Sequence, residues 1–250
     1  MIGPDFIIVG AMKAGTSFVR RTLPKHPRIK MLSNLVGRGH NRNDGEFHYF
    51  DKAITKKSLV WYMEQFDKAR KGGNVVGEKS PSYLADPKVI TNIALSLPQV
   101  KLVVLLRDPV TRWLSHVKQA NKIRPKQANL TARQIMDDRP LLRADMLWRG
   151  HYEPQLDLVL RLFGKESVHI VWAQDLRAAP GLTFAGLQDF LGVERQQIYT
   201  QKTQDSREKR ANKSPDDVVT FLRDYYKPHN EALAALLESD RPLEWSSHHA

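Results

Sequence analysis

The first residues able to do chemistry sit in one loop, Gly10-Ala11-Met12-Lys13-Ala14-Gly15-Thr16-Ser17, which follows the apolar run Phe6 to Val9 and leads into a basic, helix-compatible segment ending near Leu23. Strand, glycine loop and helix in that order build an anion cradle. Backbone N–H groups of the loop and the first helical turn face a phosphate, and Lys13 adds a mobile positive charge. The frame Gly10-x4-Gly15 has the spacing of a nucleotide P-loop, yet Thr16-Ser17 follows Gly15 where a Walker loop needs lysine and then serine or threonine. The lysine stands in the middle of the loop instead. This pattern holds a terminal nucleotide phosphate without the usual ATPase arrangement; the plain alternative is a β–α turn with a surface lysine.

A second anion station is expected at Arg107, directly after Lys101-Leu102-Val103-Val104-Leu105-Leu106. Ligands of an open parallel sheet gather at the carboxyl ends of its strands. The Arg107 guanidinium can fork across two phosphate oxygens, and the Ser115 hydroxyl can add a neutral donor from the next helix. Alternatively, Arg107-Asp108 is a surface pair that caps the strand. Two stations at two strand ends suggest a nucleotide phosphorylated at both ends. Between them lies Gly45-Glu46-Phe47-His48-Tyr49-Phe50-Asp51. If this piece is extended, Glu46, His48 and Phe50 share one side. Glu46 would then deprotonate an acceptor hydroxyl while His48 orients it or stabilises charge; an ordinary polar strand edge is the rival reading. In Gly77-Glu78-Lys79-Ser80-Pro81-Ser82-Tyr83, Lys79 could place an ammonium beside the reacting group, with Pro81 and Tyr83 stiffening the loop.

These residues need a scaffold, and the pattern supplies one. Strands are expected at Phe6 to Val9, Val75-Val76, Lys101 to Leu106 and Val168 to Trp172, with a strand-like piece at Glu46 to Phe50. Helices are expected over Thr16 to Leu23, Leu59 to Ala69, Val89 to Leu97, Arg112 to Asn121, Tyr152 to Phe163, Thr183 to Leu191 and Pro215 to Leu237. Alternating strands and helices without repeats predict a three-layer, doubly wound parallel α/β fold. The 250 residues suit one domain spanning 1–250. A net charge of +12 favours anionic partners without choosing among them. The absence of cysteine removes disulfides and thiolate metal sites and fits a reducing compartment. No stretch reaches the length of a membrane span, and the N-terminus does not read as a signal peptide. Neither a carboxylate cluster nor a histidine spacing suited to a metal is seen.

The ordered set of these motifs resembles the PAPS-dependent sulfotransferases, and more closely the branch holding the heparan sulfate N- and O-sulfotransferase domains and their bacterial relatives. The resemblance runs over roughly residues 5 to 245. It implies PAPS (3′-phosphoadenosine 5′-phosphosulfate) as donor. Lys13 would bridge leaving phosphate and sulfuryl group, Gly15, Thr16 and Ser17 would donate to the 5′-phosphate with Ala14 in the same cradle, and Arg107 and Ser115 would bind the 3′-phosphate. Glu46 matches the catalytic glutamate, His48 and Asp51 accompany it on the substrate side, and Lys79 matches a lysine at the acceptor side. Smaller matches are Trp61 to Phe66, Gly150 with Tyr152, and Tyr225 to Leu233. The late basic segment is kept loosely, as Ser206 to Pro215, and places Arg207, Lys209 and Arg210 near the nucleotide. The eukaryotic members carry a Golgi anchor and often a disulfide. This chain shows neither, so a soluble, cytoplasmic, bacterial enzyme is expected.

Both lines imply in-line transfer of a sulfuryl group to a hydroxyl or amine of a glycan, small-molecule or natural-product acceptor, and the +12 charge tilts the expectation toward an anionic one. No metal, nucleic acid or membrane span is called for. Two alternatives stand beside this. A P-loop kinase of a small metabolite uses the same scaffold but wants Lys-Ser/Thr after Gly15 and a magnesium-organising aspartate. A basic nucleic-acid-binding protein would suit the charge, but no zinc spacing, helix-turn-helix or aromatic-plus-basic sheet motif supports it.

Overall fold

A computed structural model describes residues 3–32, 45–123, 130–198 and 216–247. Five strands, β1 (Phe6–Gly10), β2 (Ile29–Met31), β3 (Val75–Lys79), β4 (Lys101–Leu106) and β5 (Val168–Trp172), form one parallel sheet in the order β2-β3-β1-β4-β5. Every residue of β1 is buried, as is β4 beyond its first lysine. That burial is why both read as unbroken apolar runs and not as alternating ones. β1 and β4 are adjacent, and the connections that follow them leave in opposite directions. The loop after β1 therefore opens at the switch point of the sheet, where such folds place ligands.

The helices among the described residues are α1 (Thr16–Thr22), α2 (Leu59–Asp67), α3 (Pro87–Ser96), α4 (Pro109–Ile123), α5 (Ala132–Asp138), α6 (Pro140–Trp148), α7 (Tyr152–Phe163), α8 (Ala173–Ala178), α9 (Pro180–Leu191), α10 (Asp216–Leu237) and α11 (Arg241–Ser247). None is long and apolar enough to cross a membrane. Their starts follow local chemistry. Ser58 and Asp86 accept main-chain N–H groups at the heads of α2 and α3, and Thr131 with Gln134 closes a reciprocal capping box on α5. Pro24 does end α1, but in a 3₁₀ turn, Leu23–Lys25, that carries the chain toward β2.

Two compact units result, Met1–Leu106 with Leu158–Gln204 and Arg107–Asp157 with Asp205–Ala250. The first holds the whole sheet. The second has its own core, in which Trp113, Ile135, Met146, Leu222 and Tyr226 are fully buried. Fully buried Arg112 donates to the carbonyl of Met146, and Tyr226 donates to that of Leu147 at 2.9 Å. On this unit His151 and His229 stack with ring centres 3.9 Å apart. Tyr225 Oη lies 2.8 Å from His151 Nε2, and His229 Nδ1 lies 2.5 Å from Glu153 Oε1.

Three sequence expectations are corrected. Residues 46–50 are not an extended strand. His48 stands at φ +58°, turning the chain into a π-helical turn, Tyr49–Ala53. The aromatic content explains the bend: Phe47, Tyr49 and Phe50 are all buried around the Tyr62 ring, at centre distances of 5.4, 4.3 and 5.3 Å. An alternating strand would have exposed one of them. Second, β3 continues past Val76 through Gly77, Glu78 and Lys79, so these two charges lie in the sheet and not in the loop after it. Gly77 permits this, since any Cβ there would run into the Phe6 ring across the β1–β3 pair. Third, β2 and helices α5, α6, α8 and α11 are additional elements.

Candidate active site

The loop after β1 is tied to its neighbour by Ala11 N–H donating to Leu105 O at 2.8 Å, and it closes on itself through Ala14 N–H to Ala11 O at 3.2 Å. Gly15 sits at φ +106°, a conformation that favours glycine, and a Cβ there would press on Leu176 at 3.2 Å. Lys13 also has a positive φ, +72°. Ala14 and Thr16 are buried, Gly15 is exposed, and Lys13 and Ser17 are partly buried. Phe18 N–H bonds back to Gly15 O at 2.9 Å, fixing the first turn of α1 behind the loop. The sequence expectation of a glycine cradle with a mid-loop lysine describes this geometry.

Glu46, His48, Lys79 and Ser17 come together. His48 lies between two carboxylates, its Nε2 2.7 Å from Glu46 Oε2 and its Nδ1 2.9 Å from Asp51 Oδ2. The other oxygen of Glu46 meets the ammonium of Lys79 at 3.1 Å, and that same ammonium donates to Ser17 Oγ at 3.3 Å. Lys79 is fully buried. The glycine loop and the Glu46–His48 pair therefore share one lysine. Burial pushes His48 down, but its bonds to Asp51 and Glu46 and their charges prevail and lift it to about 9. Burial pushes Glu46 up, and the His48 bond with the charges of Lys79 and His48 outweighs it, holding the carboxyl below its ordinary value. Asp51 follows the same balance, lowered by His48 and Ser82 against burial. At neutral pH the centre is a carboxylate beside an imidazolium and an ammonium. An imidazolium has no lone pair to receive a proton, so Glu46 is the base that this geometry offers.

Beneath this pair lie residues for which the sequence predicted no place in the acid–base geometry, although Tyr83 was expected to stiffen the loop. Ser82 Oγ donates to Asp51 at 2.6 Å, and Ser80 Oγ accepts the main-chain N–H of His48 at 2.8 Å. Ser80 in turn donates to Glu78 at 2.8 Å, and Tyr62 Oη donates to the other Glu78 oxygen at 2.9 Å. Tyr83 Oη accepts Phe50 N–H at 3.1 Å. A faint signal existed in the alternation Glu78-x-Ser80-x-Ser82, polar groups two residues apart where a buried strand should be apolar.

Arg107 follows β4 and opens the second unit. Its Nε donates to Thr111 Oγ1 at 3.0 Å, and its carbonyl accepts Tyr152 Oη at 2.9 Å. Asp108, whose carboxyl feels the Arg107 charge, also works on the helix that follows. The aspartate accepts Val110 N–H at 2.9 Å and Thr111 N–H at 3.4 Å, capping α4, the helix that carries Ser115. Arg207, Lys209 and Arg210 lie outside the described residues.

Residues 4–197 match the model of the sulfotransferase family. The chain belongs to the sulfotransferase family. Among curated sulfotransferases it is 28% identical over 253 residues to human heparan sulfate glucosamine 3-O-sulfotransferase 3B1, covering 91% of this chain and 61% of that protein. The chain spans about half to three-fifths of the length of such relatives, the mouse counterpart being covered to 47%. Its fold matches that of a sulfotransferase from Alicyclobacillus acidocaldarius with a TM-score of 0.75 and 24% identity, over 96% of this chain and 98% of that one. It also matches mouse sulfotransferase SULT7A1, solved in complex with PAP, with a TM-score of 0.53 and 13% identity, over 99% and 87%.

Proposed function

We propose that this protein transfers a sulfuryl group from PAPS to a hydroxyl or amine of a glycan or small-molecule acceptor, with Glu46 as general base. The observation that carries the proposal is the shared lysine: Lys79 reaches the base at 3.1 Å and Ser17 of the donor loop at 3.3 Å. Family membership and the PAP bound to one structural neighbour support PAPS as donor. PAPS supplies an activated sulfuryl group and a bisphosphate that leaves. Glu46 takes the acceptor proton within hydrogen-bond reach. Gly15, Thr16 and Ser17, with Ala14 behind them, fix the 5′-phosphate and hold donor and acceptor in line. Lys13 and Lys79 meet the negative charge that grows on the leaving oxygen, and His48 keeps Glu46 ionised and oriented. Arg107 and Ser115 take the 3′-phosphate, with Arg207, Lys209 and Arg210 contributing from the late basic segment.

The heparan sulfate relatives favour a glycan acceptor, and the +12 charge favours an anionic one. A bacterial, cytoplasmic setting and a single catalytic domain over 1–250 belong to the same proposal; the cysteine-free composition supports the former. Titration calorimetry tests the donor. Adenosine 3′,5′-bisphosphate should bind far more tightly than AMP or ATP, and equal affinity for AMP would remove the 3′-phosphate station. Arg107→Ala should weaken the bisphosphate by about 2–5 kcal/mol and leave AMP little changed. Incubation with labelled PAPS and a panel of glycans, lipids and aglycones identifies the acceptor.

A further inference from the structure

Glu78 is a fully buried carboxylate that the proposed chemistry does not use. It precedes Lys79 on β3, and successive strand residues turn to opposite faces. Lys79 reaches Glu46, whereas Glu78 reaches the hydroxyls of Tyr62 and Ser80, at 2.9 and 2.8 Å. Ser80 is itself fully buried, and its Oγ also accepts the main-chain N–H of His48. His48 occupies the left-handed region, at φ +58°, which a non-glycine residue keeps only when its surroundings hold it there. The hydrogen-bond chain Tyr62 to Glu78, Ser80 to Glu78 and His48 N–H to Ser80 ends at the one residue whose backbone aims the imidazole.

Counting protons shows which form of Glu78 the network accepts. An ionised carboxylate receives both hydroxyl protons. A neutral carboxyl brings a third proton, so the hydroxyl facing it must rotate its own proton away and give up its donation to Glu78. We propose that Glu78 is a positioning residue for the base: its carboxylate holds Ser80, and Ser80 holds the His48 main chain in the turn that sets the imidazole between Glu46 and Asp51. This rests on the reading of Glu46 as base. The groups facing Glu78 are Tyr62 from α2, Ser80 and Tyr83 from the segment after β3, and His48 and Asp51 from the catalytic turn. Burial raises the carboxyl to about 7 against the pull of both hydroxyls and His48. The support under the base therefore titrates near neutrality, coupled through charge to His48 and Asp51 beside the base.

The test reads His48 itself, by NMR titration of the imidazole, assigned with His48→Gln, alongside kcat against pH and bisphosphate calorimetry. In the unaltered protein His48 titrates near 9. Glu78→Gln and Ser80→Ala should each lower that value by about one unit or more as the imidazole leaves its carboxylates. Each should reduce kcat about tenfold or more and abolish a kcat step near pH 7, with bisphosphate affinity within about twofold. Ser80→Thr keeps the hydroxyl and should restore the titration. The double variant should be no worse than Ser80→Ala, because both act through one route. Folded variants with an unmoved His48 titration and unchanged kcat overturn the inference and leave Glu78 a filler of the core. If Glu78→Gln does not fold, Ser80→Ala and Ser80→Thr decide alone. Failure of the unaltered protein to bind the bisphosphate or transfer sulfate would instead sink the proposed reaction, with the titration still readable.

Discussion

Two partly buried imidazoles, one in each unit, have been pushed to opposite sides of neutrality. His48 rises to about 9 because burial is overcome by Asp51 and Glu46 on its two nitrogens. His151 falls to about 4 because burial is reinforced by the neighbouring His229 and Arg112 charges, while its Nε2 meets the Tyr225 hydroxyl. Its stacking partner His229 has the carboxylate, Glu153, for itself. Burial acts in the same direction on both; the sign of the second neighbour decides the outcome. The same residue type is thus a fixed cation in one unit and a neutral ring in the other, and only the first is arranged to keep a carboxylate ionised beside it.

The largest test of this contrast removes the carboxylate from each cluster. Glu46→Gln keeps side-chain size but removes the proton acceptor, and should lower kcat by roughly 10²–10⁴ with bisphosphate affinity nearly intact. Glu153→Gln should change kcat by less than about threefold, the scale of surroundings that do not touch the reaction. Equal losses, measured as steady-state sulfuryl transfer, would break the comparison. A near-normal Glu46→Gln would hand the proton to another acceptor, His48 or an already ionised substrate.

A smaller effect appears in stability against pH. The raised pKa of His48 means that its contribution is fully present below about 6.5 and is lost as pH rises through about 9. His151 has the opposite sign: its lowered pKa gives a contribution present above about 6.5 and lost as pH falls through about 4. Melting curves should therefore lose their alkaline limb in His48→Gln and their acid limb in His151→Gln. For His151 the recovered stability at pH 5 should be about 1 kcal/mol, its partial exposure discounting the full shift. Limbs that vanish in the wrong variants would reverse the assignment. Smallest is Ser82→Ala, which removes one of the donors to Asp51 and should cost about twofold in kcat, with the His48 titration lowered by a few tenths of a unit.

The contrast also shows where sequence reading succeeds. The runs at β1 and β4 are legible because a strand buried on both faces must be apolar throughout, while β5, mostly half-buried, shows by its β-branched and aromatic residues. Gly15 is legible because its positive φ favours glycine, and Lys13 because a lone charge in the middle of a glycine loop stands out. Glu46 and His48 were paired correctly but by the wrong geometry. Strand alternation was assumed, and a left-handed residue followed by a π-helical turn produced the meeting. β2 was hidden by its length and its lysine, since three residues carry no period. Helix α5 had a readable start, Thr131-x-x-Gln134, in a stretch otherwise too polar to stand out. Glu78 was the least legible, because a buried carboxylate looks like a surface one until its hydroxyl partners converge from α2 and the segment after β3.

The central place of β1 in the sheet bears on how the chain is made. Its partners are Val75–Lys79 on one side and Lys101–Leu106 on the other, so Phe-Ile-Ile-Val-Gly waits for both. At about 5–20 residues per second, its second neighbour emerges from the ribosome roughly 5–20 s after β1 does. Until β3 arrives a wholly apolar strand has two unpaired edges, and until β4 arrives it has one, the condition in which nascent chains stick to one another. The Phe6 ring fits over Gly77 only when β3 arrives, so the glycine that accommodates the sheet also marks the moment at which β1 is first sheltered.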